Sequence, residues 1–239
     1  MPLVLQVTLQ AFDKCVIDFV GPINPTAKKF SVRYIITATD YLTRWVDAKA
    51  VKDCSAVTRA RFIFENIITR FGCPRILMSD QDSHFLNSTI QSLVEEFQIH
   101  HQKITPYHPQ ENGIVEEFKK ILEHALTKVC NANRDDWYLR LPIVLWAYRT
   151  TCKKLTGHIP FRLVYGQEEV IPMEYIVPIL RIAAFTDMID SEEVENRLSQ
   201  LIQLEEDRFV AGFHQQVQKE REKVWHDRHI KKKQFQIDD

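Results

Sequence analysis

A carboxylate set in the middle of an apolar run is the tightest constraint on how this chain folds. Asp18 stands in Val16-Ile17-Asp18-Phe19-Val20-Gly21-Pro22. The run is short, apolar and closed by a Gly-Pro turn signal, which predicts a buried strand over Lys14–Gly21. A buried carboxylate without a partner is expensive, and a metal ion is a good partner. Asp80 ends the run Arg75-Ile76-Leu77-Met78-Ser79-Asp80, and Glu116 follows with thirty-five residues between them, after Pro106-Tyr107-His108-Pro109-Gln110-Glu111-Asn112-Gly113-Ile114-Val115. Two carboxylates at strand positions and a third on a helix can converge on a pair of Mg²⁺ ions. Such a pair, roughly 3.5–4 Å apart, stabilises both the attacking and the leaving oxygen of an in-line displacement at phosphorus. Mg²⁺ takes oxygen ligands and needs only a few carboxylates beside water and substrate phosphate.

The rest of the periodicity gives an α/β order. Arg33–Asp40 reads as a central strand, and Thr43–Val51 as a third strand antiparallel to it across the Asp40–Thr43 turn. Asp40 itself reads as a turn-initiating acid rather than a ligand. Ser55 is placed to cap a helix whose apolar face is Ala60, Ile63, Phe64, Ile67, Ile68 and Phe71. Gly72 and Pro74 close it. Pro74–Asp80 is a strand, Asn87–Phe97 a helix and Ile99–Ile104 a short strand. A long helix over Gln110–Asn131 carries the stripe Val115, Phe118, Leu122, Ala125 and Val129. Glu116, Lys119, Lys120 and Glu123 share one side of it. Asp135–Thr151 is a further helix, and Pro160–Gly166 caps the core. The order implies a mixed sheet flanked by helices. Asp190–Lys233 is highly charged, with Gly212 its only glycine and no proline. It reads as a long helix or helical hairpin whose seam, Val194, Leu198, Leu201, Phe209, Phe213, Val217 and Val224, packs partly on the core. A coiled-coil dimer stays open as an alternative.

Charge is unevenly spread. The whole chain carries −1, but residues 1–185 hold 22 Lys and Arg against 19 Asp and Glu, whereas residues 186–239 hold 9 against 13. The mildly basic first part permits phosphate binding without demanding it. Five scattered cysteines with no Cys-x-x-Cys pair argue against a disulfide scaffold or zinc site and for reduced, mostly buried thiols. No apolar run approaches the roughly 18 residues of a membrane span. Gln110 and Asn112 can hydrogen-bond bases or phosphates. His84 fits either a phosphate contact or a solvated loop histidine. His100-His101 reads as one exposed and one inward residue. The basic run Arg228, Lys231, Lys232 and Lys233 reads as a solvated helix end rather than an import signal.

The stretches Val16–Pro22, Ile35–Trp45, Ser79–Phe85, Thr105–Phe118 and Trp146–Gly166 resemble the catalytic core of retroviral-type integrases, specifically that of plant gypsy-type LTR retrotransposons. The resemblance implies a ribonuclease-H-like fold with a C-terminal helical extension. It implies DNA integration by 3′ end processing and strand transfer, with Asp18, Asp80 and Glu116 as catalytic metal ligands for two Mg²⁺ (or Mn²⁺) ions. Asp18 and Asp80 would share one ion, Asp18 and Glu116 the other. Element ends and target DNA are the implied partners, contacted by His84, Tyr107, His108, Gln110, Asn112, Lys119 and Lys120; a homo-oligomer and a nuclear location are implied with them. The expected organisation is a leader over 1–12, the catalytic core over 13–170, a linker over 171–189 and the extension over 190–239, truncated before a C-terminal DNA-binding barrel. Two positions depart from the family pattern. Asp82 replaces a usual glycine, and Glu117 a basic or small residue; both add negative charge beside a site that admits DNA. A fragment or degenerate copy is therefore expected, with a non-catalytic nucleic-acid-binding remnant as the alternative reading. A stand-alone ribonuclease H fits the carboxylates but not the Tyr107–Asn112 motif.

Overall fold

The protein is described by a computed structural model covering residues 10–27, 31–79, 88–103, 113–169 and 190–229. Its strands are β1 (Lys14–Val20), β2 (Tyr34–Asp40), β3 (Val46–Val51), β4 (Ile76–Ser79) and β5 (His100–Lys103). They form one mixed sheet in the order β3-β2-β1-β4-β5. β2 is antiparallel to β1 and to β3, while β4 is parallel to β1 and to β5. β1 is central, and its residues alternate between two buried faces. Cys15 and Ile17 join Ile36, Ala38 and Leu77 against α1 (Ala56–Ile63) and α3 (Ser88–Glu96). Val16 and Val20 face α4 (Gly113–Val129) and α5 (Trp137–Arg149). Asp18, two residues from each, falls on the α4 side by the same period.

Local chemistry sets the element ends. The Ser55 hydroxyl accepts the Thr58 N–H at 3.3 Å, capping α1 as its sequence predicts. The helix runs on through a π-helical stretch, Phe64–Ile68, into α2 (Thr69–Phe71), and stops at Gly72, whose φ of 96° suits glycine. Asp40 ends β2 only 2% exposed. It accepts the Phe12 N–H at 2.9 Å, the Thr43 N–H at 2.8 Å and the Thr43 hydroxyl at 2.6 Å. Burial raises its pKa, against the hydrogen bonds from Thr43 and Phe12 that lower it. The turn reading of Asp40 fits this geometry. Phe12, inside the stretch expected as a leader, stacks on Phe71 and belongs to the core. Asp47 on β3 gathers Arg70 at 2.9 Å, the Trp45 indole N–H at 3.1 Å and Arg149 of α5.

Two expectations need correcting. The C-terminal extension takes the single-helix form of the two expected, α7 (Asp190–His229), following α6 (Pro160–Tyr165). The seam read from its sequence is not the face that packs: Leu198, Phe209, Phe213 and Val224 are exposed, while Leu204, Asp207, Ala211 and Gln215 are buried. Small Ala211 and Gly212 allow close approach. Polar groups then fix the contact: Arg162 meets Asp207 at 2.8 Å, and the Gln215 amide donates to the Tyr41 and Leu42 carbonyls at 3.0 and 2.9 Å. Val194 lies outside the described side chains. The cysteines are unbridged, but only Cys15 is buried, and Cys73 and Cys152 are exposed. They sit past helix ends, where the chain meets solvent.

Asp40→Ala removes the acceptor of three buried donors. The expected loss is about 3 kcal/mol or more, on the order of 6–12 °C in Tm, with the response to divalent metal unchanged. Thermal unfolding with and without Mn²⁺ checks both; a loss under about 1 kcal/mol would mean the turn does not depend on this acid.

Candidate active site

Asp18 sits opposite Thr37 in the β1–β2 ladder, with its side chain 13% exposed. Its Oδ1 accepts the Phe19 N–H at 2.7 Å, and the Thr37 hydroxyl donates to its carbonyl at 3.2 Å. One carboxylate oxygen is thereby oriented by the backbone, and Oδ2 meets the Lys119 ammonium at 2.6 Å. On the other side of β1, β4 ends at Ser79, in parallel register with Ile17.

Glu116 is brought to the same ammonium by the packing of α4. Ile114 and Val115 pack on Val16, Tyr41 and Met78. One turn on, Phe118 is fully buried with Val20 and Ile35, edge-on to Tyr148 at 4.9 Å. The buried stripe is Ile114, Val115, Phe118, Leu122 and Leu126. It drifts to Leu126 rather than ending on Val129, which is exposed, because the helix repeats at 3.6 residues and not 3.5. Glu116 leads off this stripe half-exposed, and its Oε1 lies 3.4 Å from Lys119 Nζ. Burial alone lowers the Lys119 pKa, but the hydrogen bond and charge of Asp18, then of Glu116, outweigh it and hold the pKa above the ordinary lysine value. One positive charge therefore stands between a strand acid and a helix acid. An arrangement of this kind can hold a cation and, through it, an anionic substrate.

The residues expected at the site divide in three. Asp18, Glu116 and Lys119 come together. Lys120 is exposed on the next helix position. Asp80, Asp82, His84, Tyr107, His108, Gln110 and Asn112 lie outside the described residues. Among the described residues no group of three or more metal-ligating side chains stands together. Lys119 was expected to meet DNA; here it meets the acids, a role its three-residue spacing from Glu116 could have signalled. Glu117 acts elsewhere: burial lowers the pKa values of Arg44 and Lys153, and the charge of Glu117 partly opposes this in both.

Comparison with known proteins agrees with this fold. The family model of the integrase core domain matches residues 9–109, a span that holds all five strands and stops short of α4. The retrovirus-related Pol polyprotein from transposon 412 of Drosophila melanogaster is 27% identical over 165 residues, which is 69% of this chain and 13% of that polyprotein. The chain thus spans a small part of the polyprotein it matches. A chain of the simian T-cell lymphotropic virus intasome, solved in complex with the PP2A regulatory subunit B56 gamma, superposes with a TM-score of 0.56 at 17% identity, covering 71% of this chain and 62% of that one. The catalytic core domain of BIV integrase gives a TM-score of 0.50 at 21% identity, covering 63% of this chain and 92% of that one. The fold is ribonuclease-H-like, as in integrase catalytic cores, with a C-terminal helix added.

Lys119→Met takes the ammonium from between Asp18 and Glu116. The expected cost is about 1–2 kcal/mol, on the order of 2–8 °C in Tm. Mn²⁺ or Mg²⁺ is expected to recover more stability in Lys119→Met than in the parent. Scanning fluorimetry across a divalent titration measures this; equal metal responses in the two proteins would mean that ammonium and metal do not compete.

Proposed function

We propose that this chain carries the catalytic core of a DNA-integrating polynucleotidyl transferase. Water first cleaves near the 3′ end of element DNA, and the freed 3′-hydroxyl then attacks a phosphodiester of target DNA. The observation that carries the reading is the meeting of Asp18 and Glu116 on a single cationic centre. The match of residues 9–109 to the integrase core domain supports it. The finer assignment, to plant gypsy-type LTR retrotransposons, rests on Tyr107-His108-Pro109-Gln110 and Asn112-Gly113. The likeness to an intasome chain supports assembly of several copies on element ends and target DNA, which would be a nuclear event. The division into a core over 13–170, a linker over 171–189 and an extension over 190–239 belongs to the same reading.

The donor set fits Mg²⁺ or Mn²⁺. Carboxylate oxygens from a strand and a helix already converge on a positive charge, and hard divalent ions prefer oxygen ligands. Asp18 and Glu116 would hold the ions together with Asp80; Asp18 and Asp80 each follow one member of the registered pair Ile17 and Ser79. When bound there, the ions activate a water or hydroxyl oxygen and neutralise charge at phosphorus. The chain's own part is orientation. Phe19 N–H fixes the Asp18 carboxylate, and the apolar seat of α4 fixes Glu116. Lys119 keeps its proton and can turn its ammonium to a phosphate oxygen. Lys120 and the loop residues His84, Tyr107, His108, Gln110 and Asn112 are proposed to hold the DNA end.

A second reading is favoured by the same ammonium. Lys119 gives both acids a partner without any metal, as suits a non-catalytic nucleic-acid-binding remnant. A strand-transfer assay in Mg²⁺ or Mn²⁺ separates the two. The expected outcome is joined product from the parent. Asp18→Asn, Asp80→Asn or Glu116→Gln should each lower it by more than the roughly 10–100-fold that follows loss of a residue supporting a metal ligand, with DNA binding retained. DNA binding with no product under either ion would select the remnant.

A further inference from the structure

We propose that the turn between β2 and β3, the first turn of α4 and the middle of α7 enclose a binding site for a phosphate-type oxyanion, separate from the Asp18–Glu116 pair. Its centre is Arg44. This arginine is 2% exposed and has a φ of 62°, an unusual conformation for a side-chain-bearing residue. Its Nε, Nη1 and Nη2 atoms have no hydrogen-bond partner among the described residues. A guanidinium keeps its charge and all five donors, so burying it unmatched is costly. Strain and unsatisfied donors held together in a packed turn point to a ligand that completes the turn.

The surroundings are those of an anion site. Arg44, Gly113, Lys154 and Lys219 line a cavity of about 430 Å³, with the exposed Glu117 and Glu222 also on its wall. That is ample for a phosphate group and its water. The Lys14 and Lys219 ammoniums stand 4.6 and 5.0 Å from the centre of the Tyr41 ring, and the Arg44 guanidinium carbon 5.8 Å from it. Burial, and then the charges of Arg44 and Lys14, pull the Lys219 pKa down to about 8. Three cations thus crowd one ring; the charges of Glu117 and Asp40 act on Arg44 and that of Glu222 on Lys219, while the Asp40 oxygens are taken by Phe12 and Thr43. α4 turns its N-terminus to the cavity, where its dipole favours negative charge. Among the described residues beyond its own helix backbone, no heavy atom lies within 4 Å of the place a Cβ would occupy on Gly113, so that side is open to approach. A forked guanidinium beside two ammoniums matches a multiply charged tetrahedral oxyanion better than a single carboxylate. Free phosphate and a nucleic-acid phosphodiester share that chemistry.

The test is thermal unfolding of the whole chain in EDTA. One arm compares sodium phosphate with sodium chloride at equal ionic strength. The other compares a single-stranded oligonucleotide with the same sequence carrying uncharged methylphosphonate linkages. A saturable rise in Tm with phosphate alone identifies a free-anion site, and one with the native oligonucleotide identifies a strand site; either supports the proposal. Lys154→Gln and Lys219→Gln should each weaken the apparent affinity about tenfold. Arg44→Met should lose the response while unfolding at a temperature no lower than the parent, because it removes an unmatched buried charge. If Arg44→Met does not fold, the two lysine variants decide. Asp18→Asn with Glu116→Gln should keep the response, which separates this site from the proposed chemistry. No saturable response to either ligand, or an undiminished one in both lysine variants, overturns the proposal.

Discussion

Acids inside a protein must be matched one by one, by a cation or by donors, and here the matching fixes how the elements meet. Asp18 draws Lys119 and so ties β1 to α4. Asp40 takes donors from Phe12 and Thr43 and ties the start of the chain to the turn after β2. Asp47 gathers Arg70 and Arg149 and ties β3 to α2 and α5. Asp207 meets Arg162 and ties α7 to α6. In each case the partner comes from another element, so a shift in packing would strand a charge. Stranding such an acid costs about 1–3 kcal/mol, more than a small misfit in an apolar interface. The apolar core supplies the drive to collapse; these pairs select one arrangement.

The same logic shapes the site. α4 is held twice over, by its apolar stripe on the sheet and by Lys119 on Asp18. The two constraints lie one turn apart on a single helix, so Glu116 has little room to move along the helix axis. Its carboxylate is nevertheless the most exposed of the three groups that meet there, at 52% against 24% for Lys119 and 13% for Asp18. The strand end of the site is rigid and dry; the helix end is wet and adjustable.

Much of this was legible in the sequence, for reasons that differ by residue. β1 is readable because Val16, Ile17, Phe19 and Val20 leave no polar alternation, and a lone acid there has to be explained. Ser55 is a plain cap, and Asp40 a plain turn acid. Motif spacing pairs Asp18 with Glu116 across a distance no local rule covers, but it did not signal that Lys119 stands between them. The unread parts share a cause: they are polar contacts across long sequence separations. Arg149 reaches Asp47 from 102 residues away, and Gln215 reaches Tyr41 from 174. Hydrophobic spacing picked the wrong face of α7 because that helix docks by small and polar residues, while its larger apolar side chains stay outside. Arg44 carried no signal, since an arginine in a turn is ordinarily solvated.

The order of the sheet leaves two strands with one neighbour each among those described, and they are blunted differently. β5 is His100-His101-Gln102-Lys103, whose polar side chains make it a poor template for another strand. On β3, the Val46 carbonyl accepts the Arg149 Nε–H at 2.9 Å, so part of that ladder is already occupied by a side chain. Lys49, standing half-exposed midway along β3 against Glu65, adds a charge where an incoming backbone would have to lie. A parallel-containing sheet folds slowly through long-range pairings and spends time with its borders open. Guarding both borders with charge and a borrowed guanidinium keeps nascent copies from zipping together into aggregates, so crowding of many chains in one place need not end in precipitation.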